Sequence, residues 1–187
     1  LPSGYPPPPP AGAALPKEAY TPWFTRVVGY VIDIVPAAVV IGIGAGIAFG
    51  TADNQCTSDT NGNGVYCTSS FTAFGVIIYA LAYLVVLAYA IWNWGYRQGT
   101  TGQTIGKSMM KFKVVSEKTG QPIGFGLSIV RQLAHIIDAA ICYIGFLFPL
   151  WDAKRQTLAD KIMSTICLPV QQAALNPQPP SPQPAQQ

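Results

Sequence analysis

The sequence predicts an all-α integral membrane protein with two full transmembrane helices, a third spanning or re-entrant helical segment, a short cytoplasmic β-ribbon and disordered Pro-rich tails. Three observations predict it. Half of the 187 residues are apolar and 10% are charged, against about 25% charged in a soluble domain. Two uncharged stretches each reach the roughly 20 residues that a spanning helix needs. Most of the 17 prolines fall at the two ends. Mean hydropathy is +0.30 in spite of those polar ends, which disfavours a soluble enzyme, a disordered chain and a disulfide-dense secreted scaffold. The net charge of +3 is too small and too dispersed for a nucleic-acid footprint.

The division that follows is a Pro-rich tail over 1–21, a membrane domain over 22–170 and a Pro/Gln-rich tail over 171–187. Tyr5 to Pro10 reads YPPPPP, and the end from Asn176 reads NPQPPSPQPAQQ. Such runs lack backbone donors and apolar surface, and favour extended, solvated chain; their alternative use is as arms for an aromatic-lined groove. Neither end has the basic start and apolar stretch of a signal peptide.

The first span is expected over about 23–50, containing the uncharged run between Asp33 and Asp53. The second is expected over about 71–95, inside a segment without charge from Asp59 to Arg97. Trp23, Trp92, Trp94 and Tyr96 mark span ends, where amphipathic rings sit at the headgroup level. The third stretch, about 125–151, contains Arg131, His135, Asp138, Gly145 and Pro149. It is either one interrupted span or a re-entrant hairpin, whose backbone needs burial against protein.

Lys and Arg set the orientation. The loop over 96–124 and its flanks carry Arg97, Lys107, Lys111, Lys113, Lys118 and Arg131, whereas the loop over 51–70 has none. The basic loop is expected in the cytoplasm and the neutral one outside. Lys17 and Arg26 place the N-terminus inside. Lys154, Arg155 and Lys161 ask the same of the C-terminus, which favours re-entrance for the third element. Phe112–Val115 and Thr165–Val170 read as β-branched strands able to pair if both lie inside.

An internal echo joins the first and third stretches. Arg26 to Asp33 reads RVVGYVID, and Arg131 to Asp138 reads RQLAHIID. Seven residues return to nearly the same helix face about two turns on. A carboxylate in hydrocarbon costs about 2.5–3.5 kcal/mol, so it must face protein or water. The spacing is too long for a bond within one helix; the expected arrangement crosses over, each Arg serving the other motif's Asp. Such a pair is a packing clasp or an ion path, and His135 joins either one.

Gly42, Gly46 and Gly50 form a stripe where another helix is expected to approach closely. Cys56 and Cys67 share the external loop and are expected to form a disulfide worth roughly 2–3 kcal/mol. Cys142 and Cys167 show no metal spacing. Asp59 to Gly64 opens like a calcium loop, but Ser70 stands where a bidentate Glu belongs. Thr101 to Ser108, TGQTIGKS, nearly spells a phosphate loop but follows a helix in place of a strand. No nucleophile–base set, metal site or cofactor site is expected, so the chain is not read as an enzyme.

Arg26 with Asp33, the run Gly102-Gln-Thr-Ile-Gly-Lys107, FKVV, Arg131, and Lys154-Arg-Gln-Thr-Leu-Ala-Asp160-Lys-Ile-Met-Ser-Thr165 together resemble the RDD family of bacterial membrane proteins. The resemblance covers about 23–169 and makes Arg26, Asp33 and Asp160 the family's Arg and two Asp. With its Pro-rich arm the chain resembles the proline-rich-antigen type of actinobacteria. That resemblance implies a plasma-membrane accessory subunit attached to a respiratory cytochrome bcc–oxidase supercomplex. The family at large implies transport of cations or small solutes. The reading carried forward is a non-catalytic subunit held together by its Arg/Asp motifs; the rival is a cation/proton antiporter using Asp33 and Asp138.

Overall fold

Each long apolar stretch folds as a helix because no polar backbone group can remain unpaired in lipid. The computed structural model describes residues 15–58, 64–141 and 143–175. The YPPPPP run, the tail from Asn176, the calcium-like turn at Asp59 to Asn63 and Cys142 lie outside the described residues. Helix α1 (Trp23–Gly50) leads through strands β1 (Asp53–Ser58) and β2 (Val65–Ser70) to α2 (Ala73–Ala90). A π-helical turn (Ile91–Arg97) and α3 (Gln98–Thr101) continue α2, so this apolar unit runs 29 residues from Ala73 to Thr101. It passes the expected end at 95 because its buried polar side chains find fixed partners, described below.

Next come α4 (Ile105–Met109), β3 (Phe112–Ser116), α5 (Phe125–Ala140), α6 (Ile144–Leu147), a 3-10 turn (Phe148–Leu150), α7 (Leu158–Ile162), β4 (Thr165–Pro169) and α8 (Val170–Leu175). Among the described residues, two helical units are long and apolar enough to cross a membrane, and a bent pair makes a third if counted as one span. That pair, α5 with the helical segment through Leu150, is bent by 105°. Tyr143 sits at the break in the left-handed region, at φ 62°.

Strands β3 and β4 pair antiparallel, Val114 opposite Cys167. Val114, Val115, Ile166, Cys167 and Leu168 are buried there. The segment between β3 and β4 therefore leaves the ribbon and returns to it. The N-terminal tail ends earlier than the expected residue 21. Tyr20 packs with Val115, Ile166 and Leu168, and Thr21 N donates to Cys167 O at 3.0 Å. At the other end, the chain continues as α8 past residue 170.

The loop over 51–70 contains a hairpin that the sequence did not announce, because its polar, exposed strands carry no apolar alternation. Cys56 and Cys67 face one another in its register and are disulfide-bonded. A lone two-stranded hairpin is marginal in water, and the bridge supplies the missing constraint.

The glycine stripe requires a correction. A Cβ at Gly42, Gly46 or Gly50 would meet nothing within 4 Å. Contact between α1 and α2 runs instead through Gly44, whose added Cβ would stand 2.7 Å from that of Ala82, and through Gly75 beneath Ala48. The small residues Gly44, Ala48, Gly75 and Ala82 interleave across two helices, which lets the backbones approach. Gly44→Val is expected to lower unfolding stability in detergent by about 1–3 kcal/mol through overpacking. Gly46→Val should stay within about 0.5 kcal/mol of wild type. Thermal melts monitored by circular dichroism compare the two.

Candidate functional site

Three fully buried carboxylates, Asp33, Asp138 and Asp160, organise the end of the molecule nearest the β3–β4 ribbon. Each must be satisfied, because an unpaired charge cannot remain in a low-dielectric interior. They are satisfied in three different ways.

Asp160 takes two guanidinium groups. Its Oδ1 accepts from Arg131 Nε at 3.0 Å and Nη2 at 2.6 Å, and from Thr165 Oγ1 at 2.9 Å. Its Oδ2 accepts from Arg26 Nη1 at 2.9 Å and from Thr157 N at 3.2 Å. Thr157 caps α7, its hydroxyl accepting from Asp160 N at 3.0 Å, so Thr157 and Asp160 complete a reciprocal capping box. Burial opposes the charge on Asp160, but Arg131 and then Arg26 outweigh it and hold the carboxyl well below the usual carboxylate range.

Among the described residues, no cation is in direct contact with Asp33. Its Oδ1 accepts from Asn93 Nδ2 at 2.9 Å and Gly106 N at 2.8 Å. Its Oδ2 accepts from Thr104 Oγ1 at 2.5 Å. Asn93 is placed by the π-helical turn, and its own Oδ1 accepts from Ile105 N at 3.0 Å. Such a turn re-aims one side chain out of helical phase. Thr104 caps α4 by accepting from Lys107 N. Gly102, at φ 76°, turns the chain from α3 into this loop. A Cβ at Gly106 would collide with the Gly29 carbonyl, so glycine lets α4 seat directly against α1.

Asp138 receives Ala159 N on Oδ1 at 3.3 Å, and its Oδ2 lies 2.7 Å from His135 Nδ1. The His135 ring stacks on Phe146 with centroids 5.3 Å apart. Gly145 packs against Asp138 where no Cβ would fit.

The crossover expected between the two Arg–Asp motifs is not found. Arg26 and Arg131 converge on Asp160, while Asp33 and Asp138 are held by neighbouring short turns. Each of the three acids accepts one backbone N–H from such a turn, Gly106 N on Asp33, Ala159 N on Asp138 and Thr157 N on Asp160, and of the three it is Asp160 that also takes the guanidinium groups.

The echo extends further than the helices. Gln103-Thr104-Ile105-Gly106-Lys107 and Gln156-Thr157-Leu158-Ala159-Asp160 both open with a Thr that caps a short helix, and each helix precedes a strand of the ribbon. Corresponding atoms do corresponding work, Gly106 N on Asp33 and Ala159 N on Asp138. Phe112 faces Pro169 and Ser116 faces Thr165, so the ribbon register is symmetric about Val114 and Cys167. The elements α1–α4–β3 and α5–α7–β4 thus form two like units that meet at the antiparallel ribbon. They differ at one telling position, where Lys107 in the first unit corresponds to Asp160 in the second. Burial, and then the Arg131 charge, push Lys107 down to about 8.

Among the described residues, no group of three or more His, Cys, Asp or Glu is placed to hold a metal ion. Sequence reasoning missed Asn93, Thr104 and Gly106. The repeated Gln-Thr opening of the two turns was the available signal.

Residues 20–164 match the family described as the RDD family. A protein described as proline-rich antigen, from Mycobacterium leprae, is 60% identical over 163 residues, covering 86% of this chain and 66% of its own length. A proline-rich antigen homolog of Mycobacterium tuberculosis is 56% identical over 158 residues, 83% of this chain and 66% of that protein. An uncharacterised protein of Rickettsia prowazekii is 30% identical over 100 residues, 54% of this chain and 53% of its own. The chain therefore spans less than two thirds of the length of the mycobacterial relatives. No solved structure matches.

Asp160→Asn leaves two buried guanidinium groups facing a neutral amide and is expected to cost about 3–5 kcal/mol at neutral pH. The acid dependence carries a sign. A carboxyl held below its unfolded value stabilises the fold fully above about pH 4 and loses that contribution as pH falls through the lower folded value. Wild-type melting temperature should therefore fall on acidification, and the dependence should be shallower in Asp160→Asn.

Proposed function

Because the chain belongs to the RDD family of membrane proteins, we propose that it is a non-catalytic accessory subunit of a larger membrane assembly. The observation that carries this reading is the closed state of the buried carboxylates. Asp33 and Asp160 are held by donors fixed on backbone turns and by two guanidinium groups. A carboxylate that carries an ion across a membrane must exchange its partners during each cycle, whereas these partners are built into helix caps. The arrangement suits a clasp that fixes α1 against α5 and the ribbon.

A second support is the outer face of α1, where Gly42, Gly46 and Gly50 have open space above them. Small residues on a lipid-facing helix allow another helix to approach to backbone distance. In this reading the assembly joined is a respiratory cytochrome bcc–oxidase supercomplex, as the resemblance to the proline-rich-antigen type implies.

The proposed orientation follows the charges. All 11 Lys and Arg residues lie within 17–26, 97–131 and 154–161, segments that the clasp and the ribbon gather together. Positive charge favours the cytoplasmic side. The disulfide-bonded hairpin then faces the oxidising exterior. The 105° bend after α5 and the pairing of β4 with β3 support a re-entrant third segment with the C-terminus inside.

The test is purification of the full chain from its native membrane in mild detergent. The expected result is co-elution of haem absorbance with wild type and its loss from Gly46→Leu, with the melting temperature of the variant unchanged. Proteoliposomes of the wild type should show no proton-coupled cation flux. Flux that disappears in Asp33→Asn, with haem co-elution intact, would establish the transporter reading in its place.

A further inference from the structure

A cavity of about 700 Å³ lies between α1, the π-helical turn and α5. Its basic wall is made by Arg26, Lys107 and Arg131. Its apolar walls include Trp23, Tyr30, Ile136 and Phe146. Among the described residues, no Asp or Glu lines it. The three buried carboxylates stand behind the basic wall, and their oxygens are already engaged there.

The basic wall retains unused donors. Arg26 gives one Nη1 bond to Asp160, but its Nε and Nη2 are buried without a hydrogen-bond partner. A buried donor without an acceptor costs roughly 1–3 kcal/mol, more when it is charged. The pseudo-symmetry explains the surplus. Where the second unit supplies Asp160 to meet a guanidinium, the first supplies Lys107, which adds a cation beside Arg131. An anion is the missing member of the group.

The far end of the cavity indicates what kind of anion. Tyr30 and Ile136 are 59% and 62% exposed, on helices whose outer faces are apolar, so the cavity opens sideways toward the lipid-facing surface. Arg26 stands one turn from Tyr30 along α1, nearer the Trp23 end. A cationic pocket thus continues into an apolar slot. A bare phosphate would leave most of the volume empty, and a neutral lipid would leave the donors of Arg26 unmet.

We propose that this cavity is a binding site for an anionic amphiphile, its headgroup held by Arg26, Lys107 and Arg131 and its apolar chain laid along Tyr30, Ile136 and Phe146. A headgroup oxygen accepts from the free Arg26 N–H groups and from the Lys107 ammonium. This brings negative charge to the lysine that burial has weakened. Trp23 Nε1 donates to Phe146 O at 2.7 Å and holds α6 as one side of the slot. The site stands independently of which assembly the chain joins.

The full chain in neutral maltoside detergent provides the test, read by native mass spectrometry and thermal melting. The probes are dioleoyl phosphatidylglycerol, dioleoyl phosphatidylcholine and inorganic phosphate. Phosphatidylglycerol is expected to form a one-to-one adduct and raise the melting temperature, and the other two probes to do neither. Lys107→Gln should weaken phosphatidylglycerol binding about tenfold, the scale of one hydrogen bond to a charged group. Ala139→Phe, which fills the apolar slot, should abolish the adduct. Both variants leave the Asp160 cluster intact, and circular dichroism confirms their folding. Equal binding of phosphatidylcholine would remove the anion from the proposal. Equal stabilisation by inorganic phosphate would remove the amphiphile. Unchanged binding of phosphatidylglycerol by both variants would overturn the site.

Discussion

A single carboxylate, Asp160, pairs with two guanidinium groups that lie far apart in the chain. Arg26 lies on the first helix and Arg131 on α5, and both reach an acid on the short helix α7. In a low-dielectric interior none of the three charges is tolerable alone, so the segments that carry them must assemble together or not at all. The ribbon follows from the same constraint. Once α7 is held against α1, β4 emerges beside β3, and Tyr20 closes over the pair. The glycines at 44 and 75 then determine only how closely α1 and α2 run, at the far end from the charges.

The two-unit organisation explains why such different sequences do equivalent work. In each unit a long helix presents an acid seven residues beyond an Arg, and a Thr-capped turn offers that acid a backbone N–H. A short helix N-terminus carries partial positive charge and free amide groups, which makes it a natural receptor for an internal carboxylate. The near-match of TGQTIGKS to a phosphate loop has the same origin. The donors are arranged for an anion, and the anion they hold is Asp33. Symmetry then makes the exception informative, since Lys107 adds a cation where the other unit has an acid.

Hydropathy and charge made the long helices legible, because lipid imposes length and polarity on any segment it surrounds. The strands Phe112–Ser116 and Thr165–Pro169 were legible from β-branching, and their pairing from the wish of both flanks for the same side. The hairpin was not legible, because its strands are stabilised by a disulfide and bury no side chains, so no apolar alternation marks them. At the site, Arg26, Asp33, Arg131, His135 and Asp138 stood out as ionisable groups in apolar surroundings, and Asp160 through the resemblance to the RDD family. Their partners did not. Asn93 is aimed by a π-helical turn that sequence spacing cannot anticipate, and Gly106 acts through a backbone amide that its side chain does not advertise. The glycine stripe is not where α2 packs: Gly42, Gly46 and Gly50 define an open face, and Gly44 is the residue rotated toward α2.

The third apolar stretch shows how these constraints combine. A straight continuation of α5 would carry the chain away from the ribbon and leave β4 without a partner for its ladder. Asp138 would also sit without Ala159 N, and Arg26 without Asp160. Breaking the helix after Ala140 avoids all three costs. Tyr143 accepts a left-handed conformation, Gly145 removes the side chain that would strike Asp138, and the segment turns back toward α7. Local strain at one residue is of order 1–3 kcal/mol, whereas an uncompensated buried charge costs several. The bend is therefore the cheaper solution, and it is dictated by residues that lie beyond it in the chain.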